Sequence, residues 1–152
     1  MFTLTMCPSW LKGDIYSKFE ETAKRGFKAI EVLNWVGLDL HRMRSEIERT
    51  GVEVSAILFR STDPGKQALI ANTHGIVNAG ALEAFLDSIR ETIGAAKILG
   101  TKNIVVTTGN EVQGISREEQ HANVVKALRA AAPLAEEANI KLVLEPLNVL
   151  VN

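Results

Sequence analysis

A short apolar run, Leu142-Val143-Leu144, leads straight into Glu145, and Pro146 follows at once. An unbroken apolar run of this length suits a strand covered on both faces, and proline ends its pairing. Glu145 therefore falls at the carboxyl end of a strand, the edge at which α/β folds with parallel strands bind ligands. A carboxylate there can take or give a proton, or ligate a cation; it can also be a plain solvated loop residue. Asn148 either supports Glu145 or simply forms the turn after the proline.

Other residues gather at the same kind of position. Glu31 alternates with Ala29 and Leu33 in a second strand pattern, which makes it either a buried polar anchor or a substrate contact. Trp10 and Trp35 each follow a strand and are candidates for aromatic walls around a small polyol, or else they cover core. Arg60, just beyond a third strand, offers a planar fork for a substrate carboxylate or phosphate. Glu111 lies in the loop after a fourth strand. His41 and His121 fall on helices, and His74 lies in a long loop with no second ligand at metal spacing, so no histidine enters the candidate site. Cys7 reads as a small buried hydrophobe.

The elements that must position these residues follow one repeated unit. Strands are expected at 2–6, 28–33, 52–58, 103–108 and from Ile140, with helices from Asp14 to Gly26, over 38–50, over 81–99 and from Ser116 to about Ala138. Gly26, Gly51, Gly100 and Asn139 supply the left-handed stops. Ser116 and Glu119 have capping-box spacing. Pro133 should kink or split the last helix. The stretch 59–80 reads as irregular, with Asp63-Pro64-Gly65 as a turn and a short helical turn near 67–71. Alternating strands and helices imply parallel strands with right-handed crossovers, in a doubly wound open sheet or a β/α barrel. Length favours the open sheet, which needs about 150 residues against ~250 for a complete barrel. Against it, no helix follows the fifth strand, and no glycine-rich phosphate fingerprint or acidic cluster follows the first.

Bulk properties narrow the function classes. The 152 residues are 46% hydrophobic and 23% charged, enough for one packed domain. Lys+Arg 17 against Asp+Glu 18 leaves a net charge of -1, which gives no footprint for nucleic acid and no polybasic surface for membranes. A single cysteine excludes an intramolecular disulfide and points to a reducing compartment, the cytoplasm.

The residues Leu144-Glu145-Pro146-Leu147-Asn148 resemble the fifth-strand signature of xylose-isomerase-like barrels, in the branch of hydroxypyruvate isomerases and ketose 3-epimerases. Arg25-Gly26-Phe27-Lys28-Ala29-Ile30-Glu31 is similar to the family's less specific entry into its second strand. Val106-Thr107-Thr108-Gly109-Asn110-Glu111 and Glu118-Glu119-Gln120-His121-Ala122-Asn123 likewise resemble hydroxypyruvate-isomerase-like members. The resemblance implies an α/β fold, a β/α (TIM) barrel represented incompletely by four βα units and a fifth parallel strand. Residues 1–152 are then the N-terminal part of one domain, a fragment. It implies a divalent cation, Mg²⁺ or Mn²⁺, ligated by Glu145, and proton transfer through an enediolate shared between Glu145 and a glutamate of strand eight. The substrate class is a small sugar or hydroxycarbonyl compound. A dehydratase of inososes is a relative on the same barrel, while a phosphodiesterase needs more histidine and carboxylate ligands than this chain offers. The other class is an inactive half-barrel that binds a partner or forms a homo-oligomer through exposed strand edges.

Overall fold

The structure, a computed structural model, describes residues 3–145. Five parallel strands pair in sequence order: β1 (Thr5–Met6), β2 (Ala29–Val32), β3 (Glu53–Leu58), β4 (Asn103–Thr107) and β5 (Lys141–Glu145). That order excludes the open sheet, in which the first strand lies inside the sheet and the chain reverses around it. The helices are α1 (Ile15–Lys24), α2 (Leu40–Thr50), α3 (Pro64–Asn72), α4 (Leu82–Leu99) and α5 (Arg117–Glu137). α1 packs on α2, α2 on α4 and α4 on α5, so the crossover helices form one continuous layer. The result is a curved portion of a β/α barrel with the helices outside.

Alternation along each strand separates the two faces. Met6, Ile30, Val32, Ile57, Ile104 and Val106 are buried and meet Phe19, Met43, Phe85, Ile89 and Leu99 from the helices. Between them, Thr5, Glu31, Val105 and Thr107 are more accessible and belong to the concave face. Side-chain caps start the helices where the chain leaves the sheet. Asp14 accepts from Ser17 N–H at 2.8 Å, Asp39 from Arg42 N–H at 2.9 Å, and Ser116 Oγ from Glu119 N–H at 3.1 Å. Only this forward half of the expected capping box is present. At the other ends, Gly51 and Gly100 stop α2 and α4 in the left-handed region, and Asn139 adopts φ 55° before β5.

Three expectations are corrected. Residues 64–72 form a complete helix where a turn was expected, because Asp63 caps Gly65 and Lys66 and Pro64 occupies the first helical turn, where its missing N–H costs nothing. Pro133 does not split α5, which runs unbroken over 21 residues. Proline removes one hydrogen bond, while Ala127, Ala131 and Ala135 bury the same face on both sides of it. β1 is also shorter than predicted, with pairing at Thr5 and Met6 alone among the described residues.

β5 pairs only with β4 among the described residues, and Val143 and Leu144 remain 44% and 46% exposed. An edge strand with apolar side chains on both faces is a template for further pairing. The chain is therefore expected to self-associate as its concentration rises, and Leu144→Lys is expected to shift it toward monomer; multi-angle light scattering checks both.

Candidate active site

The carboxyl ends of β1 to β4 open into the loops 7–14, 33–39, 59–63 and 108–116, all on one edge. Glu145 is the last residue of β5, opposite Thr107 and exposed on that edge. Glu31 lies in the middle of β2 between Ile30 and Val32, which are fully packed against the helices, so its carboxylate belongs to the concave face. Burial raises the pKa of Glu31, and the negative charge of Glu145 raises it further. The structure thus brings two carboxylates into one electrostatic environment from strands that are not neighbours. Opposite Glu31 the register of β3 slips: Ile30 pairs with Val54 but Val32 with Ile57, so two residues, Ser55 and Ala56, face one. Such bulges re-aim side chains, and no sequence signal announced this one.

The two tryptophans divide. Trp35 is 5% exposed and its indole N–H donates to the Leu58 carbonyl at 3.1 Å, so it ties the β2–α2 loop to the end of β3. Trp10 is 78% exposed and lines a groove with Ser17, Glu21 and Lys24 of α1, away from the two carboxylates. Arg60 stands two residues past the end of β3, half-buried, and its Nε is buried with no hydrogen-bond partner among the described residues. Glu111 is exposed in the β4–α5 loop. Asn148 lies outside the described residues. His41, His74 and His121 are all exposed.

Several residues that hold this edge together were not singled out from the sequence. Gln120, buried in the first turn of α5, accepts from Val112 N–H and donates to the carbonyls of Val112 and Ile115, which shapes the loop carrying Glu111. Asn123 donates to Val77 O and joins α5 to the segment after α3. Thr92 and Glu91 of α4 bind residues 60–62. For Thr92 a signal existed: Ser88 and Thr92 interrupt the apolar stripe of the helix, and both are completely buried. The backbones of Gly75 and Gly109 also touch, with Asn110 N–H bonded to His74 O at 2.9 Å. A Cβ on Gly109 would lie well inside van der Waals contact with His74 O and 2.7 Å from Gly75 Cα, at a φ of +97°.

Carboxylate oxygens suit a hard divalent cation. Glu31 and Glu145 nevertheless supply only two carboxylates, and no group of three His, Cys, Asp or Glu side chains among the described residues can hold a metal ion. Two carboxylates are fewer than a divalent cation needs, so these residues do not by themselves make a metal site.

The xylose isomerase-like TIM barrel family model matches residues 19–150. The chain belongs to this family. It is 29% identical over 136 residues to the hydroxypyruvate isomerase of Escherichia coli (strain K12), covering 89% of this chain and 51% of that enzyme. The chain therefore spans about half the length of the curated relative it matches. The crystal structure of an AP endonuclease of family 2 from Brucella melitensis superposes with a TM-score of 0.82 at 18% identity, over 99% of this chain and 57% of that one. D-psicose 3-epimerase with D-tagatose, from Clostridium cellulolyticum H10, gives 0.71 at 14% identity, over 97% and 53%. An IolI protein with a bound zinc atom gives 0.71 at 16%, over 94% and 51%. These structures share the fold with this chain. Among the described residues no helix is long and apolar enough to cross a membrane.

Three predictions come from this edge. Folded Glu31 keeps its proton to higher pH than the unfolded chain does, so folding takes up a proton between the two pKa values and stability falls as pH rises through that window. Glu31→Gln should therefore raise the melting temperature at pH 7, and the gain should vanish below about pH 4, where the unfolded carboxyl is protonated too. An NMR titration should also show that Glu145→Gln brings the Glu31 pKa only part of the way down, since burial is the larger cause. Gly109→Ala should cost at least ~2 kcal/mol in urea unfolding, from left-handed strain and the clash with His74 together.

Proposed function

We propose that residues 1–152 are the N-terminal part of one barrel domain whose complete form is an isomerase or epimerase of small sugars or hydroxycarbonyl compounds, working in the cytoplasm. The observation that carries this reading is the pair Glu31 and Glu145, electrostatically coupled on the concave face of a barrel whose family includes a hydroxypyruvate isomerase. Carboxylates in a shared environment drift apart in pKa, and that separation lets one act as base while the other keeps a proton. Glu145, exposed at the strand end, is the group that removes the proton from the carbon beside the substrate carbonyl. Glu31, whose pKa is raised by burial and by the charge of Glu145, is a hydrogen-bonding contact for a substrate oxygen. A second carboxylate in the rest of the barrel delivers its own proton to the neighbouring carbon, or to the opposite face of the same carbon, and Glu145 passes the abstracted proton to solvent while that group takes one up, which restores both for the next turnover. The reaction is redox-neutral and releases nothing.

A divalent cation, Mg²⁺ or Mn²⁺, bound through Glu145 supplies positive charge for the oxygens that become negative as the proton leaves. Arg60, Glu111 and Asn148 are the remaining candidates for substrate contact from this chain, with Trp35 acting through the wall it builds and Trp10 outside it. Loss of a β-hydroxyl after the same proton abstraction would make the enzyme a dehydratase of the inosose type, with Glu145 in the same role. A second reading is a binding or self-association module without turnover, favoured by the exposed apolar edge at Val143 and Leu144.

Hydroxypyruvate and ketose conversion with added Mn²⁺ separates these readings. The 152-residue chain alone should show negligible turnover, and activity should appear when the second half of the barrel is supplied in cis or in trans. In that completed enzyme Glu145→Gln should keep the fold and lower kcat by ~10²-fold or more. An unaffected variant, or brisk turnover by the chain alone, would place the chemistry elsewhere. Independently of turnover, Mn²⁺ or Mg²⁺ at Glu145 should lower the Glu31 pKa, because a cation replaces the negative charge that helps to raise it.

A further inference from the structure

Arg60 has a tightly held backbone and a buried Nε without a hydrogen-bond partner among the described residues. The hydroxyl of Thr92, a fully buried residue of α4, accepts from Arg60 N–H at 3.0 Å and lies 3.0 Å from Arg60 O and 2.7 Å from Ser88 O. One hydroxyl has one proton, which the Arg60 and Ser88 carbonyls share, and a lone pair that accepts from Arg60 N–H, so Thr92 links the backbone of residue 60 to α4. The carboxylate of Glu91, one residue earlier, accepts from Ser61 Oγ at 2.7 Å and from Thr62 N–H and Oγ, both at 2.6 Å. Burial pushes the Glu91 carboxyl up, but the Thr62 and Ser61 hydrogen bonds and the charge of Lys66 outweigh it and hold the pKa below the ordinary value. Glu91 is thus a stable anion whose acceptor capacity is taken by neutral donors. It does not neutralise Arg60, which joins none of the ion pairs among the described residues.

A half-buried guanidinium with a buried, unpartnered Nε is costly unless something anionic completes it. The fork stands at the carboxyl edge, beyond the strand that pairs with the strand of Glu31. We propose that Thr92 and Glu91 are positioning residues that present Arg60 to the anionic oxygens of the substrate, a carboxylate or a phosphate, so that this site selects acidic hydroxycarbonyl compounds over neutral sugars. The inference rests on reading the carboxyl edge as the active face and adds which substrates it favours. Planar bidentate recognition needs a fixed approach direction, and a loop held by α4 at three successive residues provides it.

The test is a titration of the ¹⁵N-labelled 152-residue chain at constant ionic strength with hydroxypyruvate, inorganic phosphate and fructose. The indole N–H of Trp35, bonded to Leu58 O two residues before Arg60, is a built-in reporter. Saturable shifts of this signal and of the Arg60 Nε–H are expected with one or both anions, and which of them binds identifies carboxylate or phosphate as the preferred group. Fructose at equal concentration should leave both signals in place. Arg60→Met should abolish the response. Thr92→Val and Glu91→Gln should each weaken anion binding about tenfold, and Thr92→Ser, which keeps the hydroxyl, should restore it. Equal response to fructose, anion binding that survives Arg60→Met, or wild-type affinity in Glu91→Gln would overturn the proposal; the last comparison holds even if Thr92→Val fails to fold. Turnover does not enter this measurement. An inactive completed enzyme that still binds anions through Arg60 would sink the isomerase reading alone, and an active one indifferent to Arg60 would sink this inference alone.

Discussion

Parallel strands that pair only with their neighbours in sequence can be covered by their crossover helices on one side alone, and every feature of this molecule depends on that constraint. The convex side becomes the core, filled by Ile30, Val32, Ile57, Ile104 and Val106 against α1, α2, α4 and α5. The concave side keeps the alternate residues of each strand, which is why it can carry Glu31 and Thr5 without losing core packing. All strands point the same way, so all the loops that follow them leave from one edge. Chemistry assembled there needs no further element to bring it together.

That edge is more rigid than its loop content implies. The long connection between β3 and α4 contains a helix, and its two ends are bound to other elements: residues 60–62 to α4, and residues 74–78 to the β4–α5 loop and α5. Each attachment satisfies backbone groups that would otherwise be stranded between layers. The direct contact of Gly75 with Gly109 works differently, since the two backbones approach more closely than any side chain permits. Loops held in this way position side chains about as firmly as strands do, which matters for a reaction that depends on orientation.

Two like charges, Glu31 and Glu145, act on each other across the concave face. Neither Glu31 nor Glu145 joins an ion pair among the described residues, whereas the outer surfaces of α1 and α2 pair their charges in short-range sets such as Glu20 with Lys24 and Arg49. Those outer pairs are solvent-exposed and contribute little to stability. Glu31 is half-buried while Glu145 is exposed, and burial together with the repulsion between them makes ionisation of Glu31 costly.

The local patterns of the chain determined a great deal by themselves. Period-two and period-3.6 hydrophobicity placed the strands and the long helices, and Gly51, Gly100 and Asn139 marked where helices stop, because those signals arise from each residue's own backbone preferences. The strand-end position of Glu145 was legible for the same reason: an apolar strand pattern runs up to it and Pro146 removes the next backbone donor. Asp63-Pro64 carried a helix start that reads equally well as a turn, since both use the same local geometry, and only the packing of Ile70 decided for the helix. What tertiary structure alone decided is relational. Whether four βα units and a fifth strand lie flat or curve depends on which strands pair, and no local window contains that information. The coupling of Glu31 to Glu145, the register slip opposite Glu31, the removal of Trp10 to the outside of α1 and the grip of Thr92 and Glu91 on the Arg60 loop all join residues far apart in sequence. Their partners are chosen by the fold, after local preference has done its part.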